Sequence, residues 1–208
     1  MSRVQRPDVL AVFVKAPLVG QVKTRLAADI GAPRATELYR ALGRSVVSAC
    51  IGPSHETVVW FSPVEARPIV REWLGDLAIA DYRAQPTGSL GSRLIAALRD
   101  HFHEGARRVV LIGSDCPGIH ARLVSRAFAF LDEHDLVIGP ARDGGYYLIG
   151  LRGPAPQLFR GISWSTATVL QQTLTRARRV GLRPAILPTL RDIDTADDAR
   201  VLGLLPSR

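Results

Sequence analysis

Short apolar runs alternate with segments of helical spacing along the whole chain, and this alternation restricts the fold more than any other feature. The runs at 9–14, 57–61, 77–80, 109–112, 136–139 and 146–150 read as buried strands, with a last candidate at 185–187. Strands covered on both faces appear as continuous apolar stretches, as these do. Between them, 34–50, 89–103, 122–133 and 166–180 carry apolar residues at helical intervals. Pro33 suits the first turn of the first of these helices. The pattern predicts one α/β domain across 1–208, an αβα sandwich around a mostly parallel central sheet. No internal repeat, low-complexity tract or charged tail interrupts it.

Composition narrows the functional classes. With 208 residues, 47% of them hydrophobic, the chain can bury one full core. It has no apolar run of about 18 residues, so no membrane span is expected, and no signal-peptide core precedes the first strand. Cys50 and Cys116 are the only cysteines; neither a disulfide framework nor a cysteine zinc site is expected, which suits a reducing cytoplasm. The net charge of +8 comes from scattered arginines, without the clustered basic face or stacking aromatics of a nucleic-acid binder. A small polyanionic substrate such as a nucleotide accounts for that charge equally well. His55, His101, His103, His120 and His134 share no metal spacing and are expected at the surface, and no Gly-x-Ser-x-Gly elbow is present.

In an open α/β sheet, ligands sit beyond the carboxyl ends of the strands, and the residues there are chemically distinctive. Of 27 basic residues only Lys15 and Lys23 are lysines, and they flank the loop that follows the first strand, with Gly20 between them and Thr24 and Arg25 after. A compact, flexible ammonium suits a phosphate that moves during reaction. Asp115, just past the fourth strand in Gly113-Ser114-Asp115-Cys116-Pro117, is a candidate Mg²⁺ ligand or else the cap of a helix near Ile119. One or both of Asp192 and Asp194 could complete a metal site with it, since alternate residues of an extended segment face one way, while Thr195 and Asp198 read as a capping-box start for a last helix. Asp143-Gly144-Gly145-Tyr146-Tyr147 is either a hairpin turn or the wall of a substrate site. Gln85, Gly88 and Arg93 belong to a glycine-rich loop opening a helix, a plausible anion or base contact.

Taken in order, these segments resemble the radical-SAM/selenodomain-associated transferase family. The resemblance is carried by Phe13-Val14-Lys15-Ala16-Pro17 with Gly20 and Val22-Lys23-Thr24-Arg25-Leu26, then residues 111–117, then Gly139-Pro140 with residues 143–150. Trp164-Ser165-Thr166 and Asp192-Ile193-Asp194-Thr195 complete it. It covers nearly the whole chain. It implies a fold similar to GT-A nucleotide-diphospho-sugar transferases and a distant kinship with phospholactate guanylyltransferases. It also implies phosphate contacts from Lys15, Gly20, Lys23, Thr24 and Arg25, and metal contacts from Asp115, Asp192 and Asp194. Gly118, and Leu18-Val19 before Gly20, depart from the commoner pattern.

The expected function is Mg²⁺- or Mn²⁺-dependent transfer of a nucleotidyl group from a nucleoside triphosphate to a small acceptor. Lys15, Lys23 and Arg25 would act on the phosphates. Gly20, Thr24, Gln85, Gly88 and Arg93 would form the nucleotide side, and Asp143, Gly144, Tyr146, Tyr147 and Trp164 the acceptor side. Glycosyl transfer from a nucleotide sugar is the alternative, weighed down by the single aspartate after the central strand where such enzymes commonly carry Asp-x-Asp. A non-catalytic nucleotide-binding protein would not need the carboxylates.

Overall fold

The computed structural model describes residues 7–206. Its strands are β1 (Asp8–Lys15), β2 (Glu56–Ser62), β3 (Asp81–Ala84), β4 (Arg108–Gly113), β5 (Leu136–Pro140), β6 (Tyr146–Leu151) and β7 (Pro184–Ile186). They form one sheet in the order β3-β2-β1-β4-β6-β5-β7. β1 pairs in parallel with both β2 and β4, β2 with β3, and β5 with β7. Only β6 runs against its neighbours, β4 and β5. The helices are α1 (Thr24–Ile30), α2 (Ala32–Cys50), α3 (Arg67–Leu74), α4 (Leu90–His103), α5 (Ala121–Glu133), α6 (Val169–Arg179) and α7 (Ala196–Val201). None is long and apolar enough to cross a membrane.

Period-two alternation divides each central strand between two cores. Leu10, Val12 and Val14 of β1 pack with Val110 and Ile112 of β4 against residues of α2, α3 and α5. Val9 and Ala11 join Val109 and Leu111 on the other face, with Leu94, Ala97 and Leu98 of α4 and Ala177 of α6. The result is the three-layer α/β/α arrangement, with a mostly parallel sheet, that the alternation of elements implies.

Three local readings differ from the sequence. The apolar run 77–80 is not the third strand. Ile79 donates its N–H to Leu77 and Ala80 donates to Thr57, while Leu77 and Ile79 pack onto the core from a loop. The strand is the polar-looking segment beyond it, whose ladder starts where Asp81 meets Val58. There Tyr82 is buried and Arg83 is ion-paired to Asp81 and Glu104. α1 and α3 are too short to show a helical period, and α6 begins three residues later than its pattern because 166–168 form a turn at its start.

The third departure is His101, which lies in the interior and not at the surface. The indole Nε1–H of Trp60 donates to its Nε2 at 3.0 Å. Burial, aided by the charge of Arg83, pushes its pKa down to about 4. The unfolded chain therefore binds a proton at His101 below its ordinary pKa of about 6.5, while the folded chain refuses it until about pH 4. Stability is unaffected by this group at neutral pH, falls as pH drops through that window, and levels off below it. The loss should be on the order of 3 kcal/mol. His101→Gln, which keeps an acceptor for Trp60, should flatten that part of the profile when urea unfolding is followed from pH 7 to pH 4.

Candidate active site

The chain leaves β1 toward β2, while β4 lies on β1's other side, so the strand order reverses between β1 and β4. Beyond their carboxyl ends such a reversal leaves a crevice. Here it is a cleft of about 510 Å³ lined by Lys15, Lys23, Thr24, Arg25, Gln85, Gly88, Arg93, Asp115 and Asp194, among others. Nine residues expected from the sequence thus meet in one place. Gly20 is not among them. It occupies the exposed tip of the loop with φ +77°, beside the turn in which Gln21 donates to Leu18.

Lys23 organises the floor of the cleft. Its Nζ lies 2.9 Å from Asp115 Oδ2 and 2.9 Å from Asp194 Oδ1. Its side chain is 6% exposed, against 39% and 42% for the two carboxylates, so the carboxylates face solvent over a buried ammonium. Burial works to lower the Lys23 pKa, but the charges of Asp115 and Asp194, with their hydrogen bonds, leave it raised. Arg25 stands at 3.7 Å from the second oxygen of Asp194, with its side chain largely in solvent. Asp115 does not cap α5, because the His120 ring accepts the Leu123 N–H there instead.

Gln85 ties the two strand ends together. Its amide donates to the carbonyls of Val14 and Trp60, and its oxygen accepts from Arg93. Arg93 also donates to the carbonyl of Gly88, which has φ +116°. Gln85 therefore places the Arg93 guanidinium at the cleft wall, while its own amide hydrogens are committed to backbone.

A second cleft, of about 230 Å³, adjoins the first and shares Leu90, Gly113 and Asp115 with it. Asp143, Tyr146, Tyr147, Trp164 and Asp192 line it. Asp143 also makes the hairpin turn, accepting the Gly145 N–H at 2.8 Å, so the turn and the cleft wall are one structure. Tyr146 meets Trp164 edge to face at 6.4 Å, and Trp164 in turn closes on Gly91, where a Cβ would collide with the indole. Tyr147 is buried, its hydroxyl bonded to the carbonyl of Pro188. Gly144 is not a lining residue: with φ +88° it packs on the backbone of Ala167 and accepts the Leu170 N–H, fastening α6 to the hairpin.

Asp192 and Asp194 do not face the same way. The segment 191–194 belongs to no strand, Ile193 plugs into the core while its N–H bonds to Asp115, and the two carboxylates open into different clefts. Asp192 thus joins Asp143 and not the Lys23 cluster. Burial, then the charge of Asp143, pushes its pKa up to about 6, with Asp115 and Asp194 adding to the effect. Among the described residues no three His, Cys, Asp or Glu side chains form a metal-holding group. The expected capping box of α7 is present, with Thr195 and Asp198 bonded reciprocally, and it leaves Asp194 free for Lys23.

Two cleft residues escaped the sequence reading. Tyr39, on the buried face of α2, accepts the Lys15 N–H and donates to the Lys15 carbonyl, each at 3.0 Å. Its oxygen is 3.4 Å from the hydroxyl of buried Ser114. Its place among Ala35, Leu42 and Val46 reads as core, and nothing in that helical spacing reveals the hydroxyl's partners.

The family pattern DUF2064, described as an uncharacterized protein conserved in bacteria, matches residues 46–166. A search of curated proteins finds no match. Among solved structures, a provisionally assigned nucleotide-diphospho-sugar transferase from Desulfovibrio desulfuricans G20 is 36% identical, with a TM-score of 0.89 over 95% of this chain and 87% of that one. The inositol-1-phosphate CTP transferase from T. maritima is 13% identical, with a TM-score of 0.55 over 96% and 94%. Glucosyl-3-phosphoglycerate synthase from Mycobacterium tuberculosis, in complex with Mn²⁺ and UDP, is 14% identical, with a TM-score of 0.56 over 96% and 75%. The last two share the fold; the first shares the sequence as well.

Tyr39→Phe removes the hydroxyl that satisfies both backbone groups of Lys15. It should cost on the order of 1–2 kcal/mol in urea unfolding, and hydrogen exchange at the Lys15 amide should accelerate more than at Leu10.

Proposed function

The chain belongs to the DUF2064 family, and we propose that it moves a nucleotidyl group from a nucleoside triphosphate to a small acceptor. One observation carries this reading: the two lysines, Arg25 and Arg93 share a strand-end cleft with Asp115 and Asp194, and a second cleft opens directly beside Asp115. Phosphoryl chemistry asks for charge neutralisation and in-line positioning more than for covalent catalysis. Lys15, Lys23 and Arg25 would hold triphosphate oxygens, and Arg93, oriented by Gln85, would meet the rest of the nucleotide. Asp143, Asp192, Tyr146 and Trp164 would position the acceptor. Its oxygen would bond to the α-phosphorus while the bond to the β-phosphate oxygen breaks and pyrophosphate leaves. The kinship with radical-SAM/selenodomain-associated transferases and phospholactate guanylyltransferases rests on the motifs of the chain alone.

The donor set suits a divalent ion. Asp115 and Asp194 each direct one hard oxygen to a single cation position, which matches the preference of Mg²⁺ or Mn²⁺ for carboxylate and phosphate oxygens. These two residues would hold it, with Asp192 on the acceptor side, and the ion would supply charge neutralisation at the phosphates. A nucleotide-sugar donor is the second reading, favoured by the name of the relative from D. desulfuricans and disfavoured by the lone Asp115, since buried Cys116 and exposed Pro117 follow it where a second carboxylate would stand.

A thermal-shift series with the four nucleoside triphosphates and with nucleotide sugars, each with and without Mg²⁺, separates the readings. A ligand at 100 times its Kd should add about 2.7 kcal/mol of stability, and release of pyrophosphate on adding acceptors would mark nucleotidyl transfer. Lys23→Ala should weaken triphosphate binding at least tenfold at matched ionic strength, and Arg107→Ala less than twofold. Equal losses would leave only bulk electrostatic attraction.

If Asp143 orients the acceptor, Asp143→Ala should lower kcat and kcat/KM together while nucleotide affinity holds. A turn role alone would lower Tm and spare turnover per folded molecule.

A further inference from the structure

We propose that Lys23 is a built-in cation that keeps the ion position between Asp115 and Asp194 closed until a nucleotide arrives, so that the divalent ion enters with the nucleotide and not before it. This rests on the reading of Asp115 and Asp194 as the ion-binding carboxylates. Both carboxylates spend one oxygen on the same ammonium, at equal distances of 2.9 Å. A divalent ion competing for those oxygens must first displace a positive charge that is 6% exposed and bonded to both. Like charges repel strongly at such range, so the ammonium and a metal ion cannot both occupy the gap.

The backbone of Lys23 supplies an independent mark. It is one of two non-glycine residues with positive φ among those described, at φ 47° and ψ 47°, and it stands directly before α1. No side-chain cap stabilises that start. A left-handed lysine is strained and persists only where surrounding contacts hold it. Here the side chain is bonded to the two carboxylates and the carbonyl accepts the Ala27 N–H. Thr24 and Arg25, the next residues, are exposed at the mouth of the same cleft. A triphosphate entering there offers the ammonium new oxygen partners and offers the ion the additional ligands that two carboxylates lack. Lys23 and the ion would then exchange places: the ammonium moves to phosphate, and Asp115 and Asp194 become available together. No covalent bond is made or broken in this exchange: the two carboxylates trade a single positive charge for a double one, and the triphosphate neutralises the displaced ammonium.

The test is Mn²⁺ binding followed by electron paramagnetic resonance, with no turnover involved. Wild-type protein without nucleotide should bind Mn²⁺ weakly, and Lys23→Met, of similar length and uncharged, should bind it at least tenfold more tightly under the same conditions. Asp115→Asn and Asp194→Asn added to Lys23→Met should each remove that gain. Circular dichroism and Tm establish that the variants are folded. Should Lys23→Met not fold, the wild type alone decides: its Mn²⁺ affinity should rise at least tenfold when a non-hydrolysable triphosphate is present. Tight Mn²⁺ binding to the free wild type, or equal affinity in wild type and Lys23→Met, overturns the proposal. The Lys23→Met arm uses no nucleotide, so failure of every nucleotide to bind would sink the nucleotidyltransferase reading while leaving this exchange to stand or fall by its own measurement.

Discussion

Parallel pairing of β1 with β2 on one side and β4 on the other is the constraint on which the rest of the molecule depends. Both edges of β1 are hydrogen-bonded and both faces are buried, so the strand has no freedom of register. A one-residue slip would carry Leu10, Val12 and Val14 out of one core and into the other. Fixed register fixes where each strand stops, and Lys15 and Asp115 emerge at the same end because the strands before them run the same way. The geometry of the cleft is therefore a by-product of a buried ladder and not of the loops themselves.

On that platform the crevice is built by pairing charges across great sequence distance. Lys23, Asp115 and Asp194 come from the first loop, the turn after β4 and the segment before α7, and meet at a single ammonium. Each connection is local and modest. Together they bind three otherwise independent loops, since removal of Lys23 takes the shared partner from both carboxylates and removal of either aspartate leaves the buried ammonium with only one. Similar logic operates with neutral groups where Gln85 and Tyr39 bond to the ends of β1. The cleft is held from both walls by polar contacts to backbone, which restrain position without filling the space.

What could be read in advance follows from how locally each feature is encoded. The runs at 9–14, 109–112 and 136–139 are apolar on both faces, and no alternative placement would bury them, so they became strands as expected. The run at 77–80 misled because a loop packed under the sheet edge buries apolar residues as well as a strand does, while Asp81 and Arg83 satisfy one another beside the true strand. His101 looked like a surface residue because the histidines share no metal spacing and no nucleophile partner; Trp60, which donates to its ring, lies 41 residues away. Asp192 and Asp194 share a spacing that would align them in a strand, but Ile193 anchors the segment and splits them between two clefts.

The sequence by itself determined the layered α/β architecture, the strand-end position of the chemistry and the identity of most residues gathered there, because periodicity and the residues that end strands are local properties of a chain. Only the tertiary structure decided which of those residues touch. The placement of Lys23 between two aspartates, the separation of Asp192 from Asp194, the removal of Gly20 and Gly144 from the cleft surface and the recruitment of Tyr39 all depend on how distant segments pack. Contact between groups far apart in sequence is set by the sheet order and by the volumes filling the two cores, and no spacing along the chain records either.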